Sequence, residues 1–158
     1  MCLLDKEKPK IKLPEKYKDI IIFDLDDLNR RPLPFLDNTF DTVVLGEVLE
    51  HLYYPINLLN ELKRIIKSKG LLIISTPSPK YYLEIINMLI FSKPIGFPEH
   101  KFLFTRNQMK NILDKNGFKV MRVIGYNFWL PFIKLGFIQL KYKWPEIFTW
   151  QQIYITKK

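Results

Sequence analysis

Cysteine occurs once in the 158 residues, at Cys2. One thiol excludes an internal disulfide framework and any zinc site built on cysteines. It reads as a small buried apolar residue rather than a nucleophile. Histidine occurs twice, at His51 and His100, too few for a histidine-built metal centre, so no metal is expected. No run reaches the ~18 apolar residues that a membrane span needs. The first residues are charged and no apolar signal core follows, so the expected location is cytoplasmic. The six glycines, Gly46, Gly70, Gly96, Gly117, Gly125 and Gly136, stand alone, and no two of them form a Gly-rich loop. Internal repeats and low-complexity tracts are also missing.

What is present suits a folded chain. Hydrophobic residues make up 47% of the sequence, enough for a core, which excludes a disordered protein. The length fits a single domain over residues 1–158. The net charge of +9 is unevenly spread. Residues 24–50 carry Asp24, Asp26, Asp27, Asp37, Asp41, Glu47 and Glu50 against Arg30 and Arg31, a local net of −5, so the remainder carries +14. A basic body of this kind suits contact with an anionic surface, whether phosphate, nucleic acid or membrane. A lysine-rich solvated surface of a thermophile has the same composition.

Met1–Leu4 is a short apolar run ending at Asp5, and the segment 6–18 reads as a loop. Asp19–Asp24 is a continuous β-branched run of the type buried on both faces of a parallel sheet. Pro32 and Pro34 stop it. Phe40–Leu45 and Leu71–Ser75 read as two more buried strands. Between them Pro55 opens a helix whose apolar residues Ile56, Leu58, Leu59, Leu62, Ile65 and Ile66 recur at helical spacing, with Lys67, Lys69 and Gly70 as its C-terminus. A helix is expected over 80–91. Thr105 caps another through Asn116, with Met109, Ile112 and Leu113 inward and Gly117 as its stop. Phe118–Tyr126 and Ile147–Thr156 are the last strands. The order predicts an α/β fold with a mainly parallel sheet.

The middle of the chain resembles a class I S-adenosylmethionine-dependent methyltransferase, of the type 11 kind. A strand ends in Asp24-Leu25, a Leu33-Pro34-Phe35 turn follows, Asn38-x-Phe40-Asp41 leads into the next strand, and Glu47-x-x-Glu50-His51-Leu52 comes after it. The Lys67–Thr76 step and Gly117-Phe118 fall in the same order. The resemblance implies a Rossmann-like fold, mainly parallel with an antiparallel last strand, and S-adenosylmethionine as cofactor. In open α/β sheets ligands bind beyond the carboxyl ends of the strands. The resemblance therefore implies Asp5 as acceptor for the ribose hydroxyls, Asp24 for the adenine amino group, and Leu25 as a backbone or apolar contact to the ring. Gly46 would give room beside a ligand, and Glu47 would face the methionine end. His51, and more weakly His100, are candidate general bases beside the methyl acceptor, since an imidazole titrates near neutrality. Each could instead pack to fix its loop. Two aromatic-rich inserts, Tyr81–Phe97 and Phe128–Trp150, could line a hydrophobic acceptor pocket, sit on a membrane surface, or form ordinary core and lid packing.

The departure from the family lies upstream. Its first strand and helix, with the Gly-x-Gly-x-Gly loop between them, have no counterpart here. That strand would lie between the one ending in Asp5 and Phe40–Leu45, so both neighbours would have unpaired edges. Three accounts follow. The chain is an N-terminally truncated methyltransferase acting on a small-molecule, lipid or macromolecular acceptor in a longer form; or it is a non-catalytic methyltransferase-like protein whose partner completes the sheet; or it is an unrelated α/β protein binding acidic ligands.

Overall fold

Residues 2–5, 19–79, 85–86, 89–90, 99–126 and 149–158 are described by the structure, a computed structural model. β1 (Cys2–Asp5) and β2 (Asp19–Ile22) pair in parallel, with Asp5 opposite Ile22. A short 3-10 turn, Leu25–Asn29, follows. Next come β3 (Phe40–Gly46), a second 3-10 turn at Leu49–His51, α1 (Pro55–Ile65) and β4 (Ile66–Pro77). α2 (Arg106–Lys115), β5 (Lys119–Tyr126) and β6 (Gln151–Lys157) complete the order. β3 and β4 are parallel neighbours joined through α1, as the two apolar runs and the helix between them predict. β6 lies between β4 and β5 and runs antiparallel to both. The result is a mixed α/β fold.

The described strands form two sheets, β1-β2 and β3-β4-β6-β5. Among the described residues β1 pairs only with β2, and β3 only with β4.

One core joins the elements. α1 contributes Leu58, Leu59, Leu62 and Ile65, and α2 contributes Met109 and Leu113. They pack with Phe23, Leu45, Leu72, Ile74, Phe118 and Tyr154. Fully burying each such side chain contributes ~1.5–3 kcal/mol. The expectation that β3 and β4 are buried on both faces is corrected. β4 alternates, with Leu72, Ile74 and Thr76 buried while Leu71 is exposed, and Val44 of β3 is 70% exposed. The reason is that α1 and α2 join a single core with the buried set of strand residues, which accounts for one face only.

The helix end is also corrected. α1 stops at Ile65, and Ile66 already pairs with Phe40. Lys67–Gly70 is an irregular start to β4, with Lys69 in the left-handed region (φ 67°) and a register shift opposite Phe40–Thr42. Gly70 is required by close approach. A Cβ there would lie 2.6 Å from Ile66 Cγ2, 2.9 Å from Lys67 O and 3.0 Å from Asp41 O.

α2 matches its reading closely. Thr105 accepts from the Gln108 amide while Gln108 accepts from the Thr105 amide, a reciprocal capping box. Gly117 takes the left-handed conformation after it (φ 84°). Of the expected 80–91 helix, only 85–86 and 89–90 are described; they are helical and exposed. The rest of that helix, most of Tyr81–Phe97 and of Phe128–Trp150, and Ile147 and Phe148 lie outside the described residues.

The turn between β2 and β3 is held by Arg64 of α1. Its guanidinium donates to Phe35 O (2.7 Å), Leu33 O (3.0 Å), Asp37 Oδ1 (2.8 Å) and both Glu61 oxygens (3.0 and 2.7 Å). Glu61 in turn accepts from the Leu33 amide at 2.8 Å. The hydrogen bond from Arg64 is the main reason the Glu61 carboxyl titrates below its ordinary range, and the same pair raises the Arg64 value.

Candidate active site

The carboxyl ends of the strands gather most of the candidate residues. Asp5 ends β1, and Asp24 follows the end of β2 in the neighbouring strand. Asp24 caps the 3-10 turn, its Oδ1 accepting from the Asp26 amide at 3.1 Å. Leu25 starts that turn and is partly buried against the core. Gly46 ends β3 opposite Ser75 of β4. Among the described residues a Cβ at Gly46 would meet only Ser75 Oγ, at 3.8 Å, an ordinary contact.

Glu47 leaves β3 with a left-handed backbone (φ 51°). Ser75 fixes it from both sides. The Glu47 amide donates to Ser75 O at 3.2 Å, and Ser75 Oγ donates to Glu47 Oε1 at 2.7 Å. Asp26 then links the two regions. Its Oδ1 accepts from the Tyr53 amide at 3.0 Å, and its Oδ2 pairs with Lys101 Nζ at 3.5 Å. Lys101 Nζ also sits 3.3 Å above the Tyr53 ring. Asp24–Asp26 and Glu47–Tyr53 are thereby held together.

The two histidines, 49 positions apart in sequence, meet in space. Their ring centroids are 4.7 Å apart, edge to face. One backbone carbonyl causes this. Glu50 O accepts from both the Lys101 amide (2.7 Å) and the Phe102 amide (3.1 Å), which ties the Leu49–His51 turn to the loop carrying His100. Burial, and then the neighbouring His51 charge, hold the His100 imidazole below its ordinary value; Glu47 and Glu99 act the other way.

Glu50 is the residue that the sequence reading left without a role. It is fully buried, and neither carboxylate oxygen makes a hydrogen bond among the described residues. Its own amide and the Thr76 hydroxyl lie close enough to lower its pKa, but neither meets hydrogen-bond geometry. Burial dominates and, with the Glu47 charge, pushes the carboxyl up to about 7. Thr76 Oγ1 at the end of β4 is likewise buried without a hydrogen-bond partner. The signal in the sequence was an acid between apolar Leu49 and a histidine.

Residues 8–123 match the model of a family described as a methyltransferase domain. The chain belongs to that family. It is 44% identical over 70 residues to the uncharacterized protein MJ0638 of Methanocaldococcus jannaschii, an alignment covering 42% of this chain and 31% of that protein. The chain thus spans about a third of the curated relative it matches. Its fold is similar to that of a SAM-dependent methyltransferase of Archaeoglobus fulgidus (TM-score 0.70, 20% identity, 99% of this chain and 75% of that one). It is also similar to a SAM-dependent methyltransferase of Thermotoga maritima (TM-score 0.69, 21% identity, 88% and 64%).

No helix among the described residues is long and apolar enough to cross a membrane.

Proposed function

We infer that this chain serves S-adenosylmethionine-dependent methyl transfer. The observation that carries the reading is that Asp5, Asp24 and Glu47 each stand at or just beyond the carboxyl end of a strand, with Gly46 beside Glu47. The cofactor supplies the transferable methyl group. Asp5 and Asp24 act as acceptors for its hydroxyl and amino groups, and Leu25 borders the ring. Glu47, oriented by Ser75, favours a nearby positive charge. His51 and His100 stand together, and either imidazole could take a proton from an acceptor. The similarity in fold to the SAM-dependent methyltransferases of Archaeoglobus and Thermotoga supports this choice of cofactor.

Without a Gly-rich loop the affinity should be weak. Each neutral hydrogen bond contributes only ~0.5–1.5 kcal/mol net, and a millimolar complex already requires about 4 kcal/mol. Amide chemical shifts are therefore the suitable measurement. Millimolar S-adenosylhomocysteine should move the resonances of Leu25, Gly46 and Glu47, and Gly46→Leu, which adds bulk at this strand end, should abolish the movement. No shift at these amides in the parent chain would sink the reading. Among the described residues β1 and β3 each pair on one side alone, which favours a second reading, a non-catalytic protein whose partner adds a strand. A ligand-independent complex through those edges, without cofactor binding, would support it.

A further inference from the structure

The Glu50–His51–His100 cluster has a composition that methyl transfer alone does not explain. One carboxylate oxygen and one ring nitrogen from each histidine all lie within 4.8 Å of one another. Metal bonds to these donors are about 2.0–2.2 Å long, so donors on one tetrahedral ion lie ~3.4 Å apart. Closing the cluster from within 4.8 Å requires shortening these separations by at most about 1.4 Å, shared between the two donors of each pair. The shared Glu50 carbonyl fixes both loops, so the donors are already assembled. Burying a carboxylate without a hydrogen-bond donor is costly, and a cation between the donors offsets that cost.

We propose that Glu50, His51 and His100 form a binding site for a divalent first-row transition ion. Two imidazoles and one carboxylate match zinc, cobalt, manganese or iron(II) rather than magnesium or calcium, which take oxygen ligands. Three protein donors leave coordination positions open, the pattern of sites that hold an exchangeable ligand rather than purely structural ones. Glu47 lies beside the cluster, with Oε1 held by Ser75. The sequence expectation of no metal counted histidines alone; the fold supplies the third donor.

The test is titration of the untagged, chelator-treated full chain with Co2+, followed by visible absorption. One equivalent should develop the d–d bands of a bound ion. Glu50→Gln keeps the side chain's shape and should weaken Co2+ at least tenfold while retaining the circular dichroism spectrum of the parent. His51→Ala and His100→Ala should do the same, and Cys2→Ser should keep the parent's titration. Zn2+ should raise the melting temperature of the parent and not of Glu50→Gln. No saturable cobalt signal, or a Glu50→Gln titration equal to the parent's, overturns the proposal and leaves Glu50 as a protonated core carboxyl. Both readouts are independent of S-adenosylhomocysteine, so failure here is distinct from failure of the methyltransferase reading.

Discussion

Replacing Arg64 by alanine removes the clamp on the turn between β2 and β3. Five donor contacts are lost, two of them to backbone carbonyls, Leu33 O and Phe35 O. Leu33 is itself buried, and the Phe35 ring packs edge-on against Phe40 at 4.9 Å, so the clamp secures apolar contacts as well. Hydrogen bonds from a charged donor contribute ~1.5–3 kcal/mol each. The Arg64 and Glu61 side chains are 26% and 18% exposed, so water replaces part of that loss. Asp37, at 69% exposed, adds less than ~1 kcal/mol. Arg64→Ala should therefore cost ~2–4 kcal/mol. The molecule contains its own control. Lys67 reaches both Asp41 oxygens at 2.9 Å, but those side chains are 45% and 83% exposed. Lys67→Ala should cost less than ~1 kcal/mol. Arg64→Lys should fall between them, keeping the charge without the planar fork. Equilibrium urea unfolding followed by far-ultraviolet circular dichroism measures all three. Equal losses for Arg64→Ala and Lys67→Ala would refute the reasoning, since burial and backbone contacts would then carry no weight.

Three further outcomes are expected. Glu61 has a folded pKa lowered below its ordinary value of about 4.5, so it contributes stability above that value and loses it as pH falls through the lowered one; Glu61→Gln should flatten the acid limb of a urea-midpoint profile below pH 4.5, and an unchanged slope contradicts the assignment. Thr105→Ala removes the hydroxyl half of the capping box on α2 and should cost ~1 kcal/mol, with Thr105→Ser much closer to the parent; a thermal melt in which both behave alike would count against the cap. Gly70→Ala forces a Cβ against Ile66 and two carbonyls and should cost ~1–3 kcal/mol, whereas Gly46→Ala meets an ordinary contact and should be within ~0.5 kcal/mol of the parent; the reverse ranking in urea unfolding would disprove the crowding described at Gly70.

The sequence revealed the elements whose signals are local. Thr105, Gln108 and Gly117 mark α2 because capping is decided within a few residues of each end. The β3-α1-β4 unit was legible because two apolar runs flank one amphipathic helix. The end of α1 was not legible. Lysines and a glycine after Ile66 look like a helix terminus, but pairing of Ile66 with Phe40 outweighs helix propensity, and Gly70 answers to packing against Asp41. Burial on both faces was over-read because β-branched runs report strand propensity, not what covers the strand. At the site, the family pattern located Asp24, Gly46 and Glu47 at strand ends. It did not reveal that His51 and His100 touch, because that contact depends on backbone amides of Lys101 and Phe102 reaching the carbonyl of Glu50, far earlier in the chain.

The place of β6 has a consequence for how the molecule is made. The strand latest in the sequence is central to the larger sheet, with Thr156 Oγ1 donating to Leu72 O and the Lys158 amide to Gly70 O. β4 and β5 share no ladder among the described residues until β6 arrives to bridge them. Synthesis proceeds from the other end, at ~5–20 residues per second. β4 therefore waits, for a period of seconds, with its β6-facing hydrogen-bonding edge unsatisfied. Closure then demands contacts more than eighty positions apart, the non-local kind that slows folding. In that interval the nascent chain presents a long apolar strand that a chaperone can hold or a second nascent copy can pair with.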